Sequence, residues 1–172
     1  MEFKEKEFEE KTYKNKDFTE ADFSGALFNS CDFEMCNLSL TNINGCGFNN
    51  VIFKNSKLTG LDFSKCNQLM LEINFEDCQI INCVFADMKL KKTKFKKCRI
   101  KNCIFSGIDV SGSDFSGSDL KDTEFDNADL RGCNFEECRE YEINPKKNKI
   151  KDAVFSFPEV VSLLKSFEIK IK

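Results

Sequence analysis

Ten cysteines stand in a chain of 172 residues that has no histidine and no tryptophan. Thiols at that density could form disulfides, hold zinc or serve as nucleophiles. Their spacing points elsewhere. Cys31, Cys36, Cys46, Cys78, Cys83, Cys98, Cys103 and Cys133 each lie two positions before a large apolar residue. Cys66 and Cys138 take the same place if the register is extended by one pentad. No C-x-x-C pair exists, and there is no imidazole to complete a mixed zinc site. The cysteines therefore read as compact hydrophobes in one repeated inward slot. Ten free thiols also favour a reducing compartment, which makes the cytoplasm the expected location.

Other chemistry is equally sparse. Without histidine the commonest general base and neutral metal ligand are missing. No Ser-centred motif, Gly-rich phosphate loop or apolar pocket is visible, so no catalysis, cofactor or metal is expected. Charge is the remaining resource, and it is segregated. Residues 1–50 net -5, residues 51–101 net +6, residues 102–140 net -7 and residues 141–172 net +3. Basic residues crowd at Lys89, Lys91, Lys92, Lys94, Lys96, Lys97, Arg99 and Lys101. The following stretch is acidic, with Asp109, Asp114, Asp119, Asp122, Glu124, Asp126 and Asp129 as candidate partner-binding residues.

The element that must carry these groups has a period of five. Large apolar residues run from Phe8 through Tyr13, Phe18 and Phe23 to Phe63. The series slips by two residues and resumes from Phe75 through Ile80 and Phe85 to Phe135. All 25 centres are apolar in a chain that is 41% hydrophobic, an outcome with a chance probability on the order of 10^-10. A period of five fits neither a helix nor a flat strand. With the centre called i, the uncharged, mostly small residue at i-2 also points inward, and i-1, i+1 and i+2 carry the polar groups. Asp or Asn recurs at i-1, as in Asp17, Asp22, Asn37 and Asp62, where a short side chain can bond nearby backbone N–H groups at a corner. From Phe75 on, Phe alternates with an aliphatic centre, which requires an even number of sides; four sides give coils of about 20 residues.

Pentads such as Ala128-Asp129-Leu130-Arg131-Gly132 and Ser118-Asp119-Leu120-Lys121-Asp122 resemble the A(D/N)LXX pattern of the pentapeptide-repeat family, over about residues 6–138. The fold that this resemblance implies is all-β: a right-handed quadrilateral β-helix. Its domain would span residues 1–138, with an irregular pentad at 66–72 that reads as a small corner bulge. Residues 139–172 would form a C-terminal cap or dimerisation module. There, a turn at Asn144-Pro145 precedes a short α-helix over about 158–167 and a last strand over 168–172. Val160, Leu163, Leu164 and Phe167 would share one face of that helix, and together with Ile169 they would cap the coil or pair two copies.

The tail resembles the C-terminal module of quinolone-resistance-type pentapeptide proteins through residues including Tyr141, Pro145, Asn148, Phe155, Pro158 and Leu164. The resemblance implies a homodimer that looks like B-DNA to DNA gyrase or topoisomerase IV. It further implies binding at the DNA gate and, in some members, protection from quinolones or toxins. The +6 band departs from a uniform mimic. A general interaction scaffold with an unrelated cytoplasmic partner is the alternative. Direct nucleic-acid binding and membrane insertion are not expected from a net charge of -3 and the lack of a long apolar run.

Overall fold

The structure, a computed structural model, describes residues 2–170. Short strands pair in parallel with the strand twenty positions on: Phe8 with Phe28 and Phe48, Tyr13 with Phe33 and Phe53. A centre every five residues and a coil every twenty give four sides, and the chain is a right-handed quadrilateral β-helix. Side one carries Phe23, Ile43, Phe63, Phe85, Phe105 and Phe125. Side two carries Phe28, Phe48, Leu90, Val110 and Leu130. Side three carries the column from Tyr13 to Phe155, and side four runs from Phe18 and Leu38 to Leu120.

Side three is an unbroken aromatic stack of eight rungs: Tyr13, Phe33, Phe53, Phe75, Phe95, Phe115, Phe135 and Phe155. Successive ring centroids lie 4.8–5.3 Å apart with planes within 21°. That spacing is close to the separation of neighbouring strands, so backbone pairing and ring stacking reinforce each other. The column reaches Phe155 because residues 144–155 resume the coil. Asn134 and Phe135 pair with Val154 and Phe155, and Lys147 N–H donates to Asn144 O at the expected turn.

The inward slot at i-2 has a second job besides filling space. Its thiol or hydroxyl donates to the carbonyl of the centre one coil earlier: Cys36 Sγ to Tyr13 O at 3.3 Å, Ser118 Oγ to Phe95 O at 2.6 Å, Cys138 Sγ to Phe115 O at 2.8 Å. Ser118 Oγ also accepts from Cys98 N–H at 2.8 Å. Small size plus one donor is what Cys, Ser and Thr share. In the first coil this slot holds Lys6, Lys11 and Lys16, all exposed. Charge at an uncovered ladder opposes strand addition.

Corners turn at i+2, where the backbone is left-handed in nearly every pentad, for example at Asn15, Asp87, Lys97 and Gly107. This explains the Asn and Gly found there. The Asx at i-1 closes the corner from the other side, as Asp22 Oδ1 accepts from Ser24 N–H at 3.0 Å and Asn42 Oδ1 from Asn44 N–H at 3.2 Å.

The slip falls on side two. Asn67 caps a single turn over Gln68–Met70, and Leu71 takes the place opposite Phe48, half-buried against the core. Across it the offset becomes twenty-two, with Phe53 opposite Phe75. The bulge is small, as expected, but it lifts Leu69 almost wholly into solvent, 96% exposed.

The tail helix differs from expectation. It spans Glu159–Phe167 and winds as a 3-10 helix, so positions three apart align rather than an i, i+3, i+4, i+7 stripe. Leu163 packs on the core, with Val160 partly buried on the same line. Val161, Leu164 and Phe167 form a second line that stays exposed. Residues 168–170 form no strand, with Ile169 exposed; the rest of the expected strand lies outside the described residues.

Candidate interaction surface

Each corner presents polar groups in a fixed pattern, so every surface charge has a definite side. The seven carboxylates singled out from the sequence do not converge. Asp109 and Asp129 lie on side two, Asp114 on side three and Asp119 on side four. Only Asp122, Glu124 and Asp126 gather, at the side-one end of the last full coil.

Four of the seven accept from a backbone N–H and pair with a cation as well, and Asp126 pairs with Lys147 at 3.2 Å. Asp109, Asp114 and Asp119 accept from the N–H groups of Ser111, Ser116 and Lys121 at 3.0–3.2 Å. Each also meets a lysine from the coil before: Lys91 to Asp109 at 3.1 Å, Lys96 to Asp114 at 3.4 Å, Lys101 to Asp119 at 3.2 Å. Asp129 is buried and forms a forked pair with Arg131 at 2.8 and 2.6 Å. Burial opposes ionisation of Asp109 and Asp114, but the serine hydroxyls and amides with Lys91 and Lys96 outweigh it and hold both carboxyls below the usual range. Arg131 does the same for Asp129. The basic band is thus stapled to the acidic coil beside it, a ladder repeated on three sides that sequence reasoning missed. Its signal was there: Lys91, Lys96 and Lys101 each sit eighteen residues before an Asp, two short of a full coil.

Side one is different. In the pentads 83–87, 103–107 and 123–127 there is no Lys or Arg, and the net charge is -3, with Asp122 at the corner that leads in. Over the same three coils, side two nets +2 (88–92, 108–112, 128–132), and side three (93–97, 113–117, 133–137) and side four (98–102, 118–122, 138–142) each net zero. The i-1 column of side one also drops its Asx residues for Val84 and Ile104, which pair into a short apolar strip next to Glu124.

At the C-terminal end, Phe157, Val161, Leu164, Phe167 and Ile169 are exposed together. Val161, Leu164 and Ile169 border an open groove also lined by Tyr141, whose buried hydroxyl has no hydrogen-bond partner among the described residues. Lys146 Nζ sits 4.6 Å from the Phe167 ring centre and donates to Ser166 O at 2.8 Å, which ties the helix to the Asn144 turn.

All ten cysteines are free and buried. Burial pushes the Cys66, Cys133 and Cys138 thiols up to about 12, which suppresses the reactive thiolate. Among the described residues no cluster of acids and thiols is placed to hold a metal, and no helix is long and apolar enough to cross a membrane.

The profile of the pentapeptide repeat region matches residues 26–96 and 73–155. No curated protein sequence matches the chain. Two solved structures of trypsin-treated variants of QnrB1, described as a plasmid-mediated fluoroquinolone resistance protein, are similar over nearly the whole fold. The first is 17% identical with a TM-score of 0.72, covering 99% of this chain and 92% of that one. The second is also 17% identical, with a TM-score of 0.68 and coverage of 99% and 93%.

Proposed function

The chain belongs to the pentapeptide-repeat family, and from that premise we propose that it is a non-enzymatic, DNA-mimicking binder of a type II topoisomerase, DNA gyrase or topoisomerase IV. The observation that carries this reading is a rod with one side on which Asp87, Asp122 and Glu124 have no cation partner among the described residues. A cationic channel that holds duplex DNA selects for such an object. The full-length fold likeness to QnrB1, tail included, supports it. The pocket-poor surface and the inert thiols suit a protein that acts by contact, in the cytoplasm, where type II topoisomerases work.

The exposed tail stripe supports a homodimer. Val161, Leu164, Phe167 and Ile169 present an apolar face at the end of the rod, and a two-fold pairing there would bury it. The acidic coils around Asp122, Glu124 and Asp126 would then lie near the middle of a rod of twice the length. The test is supercoiling by purified gyrase, with and without a quinolone. Inhibition, or relief of the drug's effect, is expected in proportion to added protein; unchanged activity across a wide concentration range would remove the reading.

One observation favours a second reading, a scaffold for an unrelated cytoplasmic partner. Leu69 and Met70 stand exposed on side two, away from both the acidic side and the tail. Recovery of one non-topoisomerase protein by the wild-type chain, lost with Leu69→Ser, would support it.

A further inference from the structure

We infer that side one is the face that enters the cationic groove, and that the other three sides face away from it. The inference rests on the topoisomerase reading and names the contact surface for it. Three features of side one carry it, and no other side combines them.

The first is charge. Glu124 and Asp126, with Asp122 at the corner leading in, gather on one coil, and Asp87 lies two coils, about 10 Å, before them, with no Lys or Arg in the pentads 83–87, 103–107 and 123–127. The second is the lack of internal neutralisation. On sides two to four the carboxylates of the 109–119 coil are each stapled to a lysine. On side one, among the described residues, only Asp126 has a cation, Lys147 from the tail turn at 3.2 Å. The third is a flat apolar strip. Val84 and Ile104 lie in register with Glu124, and Ile104 is 38% exposed in a sheet face that projects no loop. A groove built for a phosphate backbone offers lysine and arginine heads with aliphatic stems. The heads meet the carboxylates, and the stems can lie on Val84 and Ile104. Asp87 is held in this surface by its neighbour: Gly107 has a left-handed backbone, and a Cβ there would collide with the Asp87 carboxylate.

Two charge-matched variants test the assignment. Asp87→Lys with Glu124→Lys reverses side one. Glu136→Lys with Glu137→Lys makes the same net change on side three, at exposed carboxylates close along the rod. Binding to purified gyrase is measured for both, with thermal melting to confirm that each folds. The side-one pair should weaken binding by about tenfold or more, and the side-three pair by less than about threefold. Equal losses, or a loss confined to the side-three pair, would overturn the inference. A second arm separates this from the topoisomerase reading: amide chemical shifts of the wild-type chain are followed during titration with a dodecalysine peptide. Shifts confined to the Asp87, Ile104 and Glu124 neighbourhood support side one even if gyrase does not bind. Shifts spread over all four sides overturn it. A change in sedimentation caused by the side-one pair alone would assign the face to a second copy and would also overturn it.

Discussion

At the residue scale, one slot explains the cysteines. Position i-2 must be compact and uncharged, and where it carries a thiol or hydroxyl that group can donate to a carbonyl one coil earlier, as Cys36, Ser56, Cys78, Ser118 and Cys138 do in one column. Thiols so placed should resist modification. A thiol reagent at pH 8 should leave the native protein essentially unlabelled, and unfolding should expose all ten thiols. Rapid labelling of the folded protein would contradict this placement. The engaged aspartates make a pH prediction. Asp109, Asp114 and Asp129 are more acidic when folded than when unfolded, so protonation favours the unfolded state. Their contribution is complete above the unfolded value of about 4 and fades as pH falls through their lower folded values. Melting temperature should hold steady from neutral pH to about 5 and fall below about 4. Replacing the three with Asn, which keeps the corner acceptor and removes the titration, should flatten that acid limb.

At the element scale, the coil was legible and its details were not. The fivefold ladder gave the four sides and the aromatic columns, because burial leaves no freedom at i and i-2. The sequence shows the crowding of basic residues but not their pairing, since sequence distance hides that Lys91 lies over Asp109 one coil on. The tail helix was read as α because apolar residues fit 3.6 as well as 3.0 over nine positions. Side three is the rigid spine: Phe95 is fully buried between Phe75 and Phe115 with rings 5.1 and 4.8 Å away. Phe95→Ala should cost about 3–5 kcal/mol in denaturant unfolding, because a close-packed tube cannot collapse around the cavity. A loss under about 1 kcal/mol would show that the stack is looser than described. The two lines of the tail helix should respond differently. Leu164→Glu should halve the sedimenting mass with little change in melting temperature, whereas Leu163→Glu should destabilise the fold by meeting the core. A monomeric wild type would refute the tail pairing.

At the scale of the whole molecule, the proposed function rests on how charge is distributed around the rod. Composition alone, at net -3, shows nothing of this. Summed along the chain, charge alternates in bands; sorted by side, the same residues leave one side without Lys or Arg over three coils and net negative. Because a duplex-binding groove is the surface that selects for such a side, DNA and this protein should exclude one another from the enzyme. The decisive measurement is inhibition of gyrase supercoiling at two or more DNA concentrations. The half-inhibiting concentration of protein should rise as DNA rises. Inhibition independent of DNA, or no inhibition at any concentration, would contradict the mimicry.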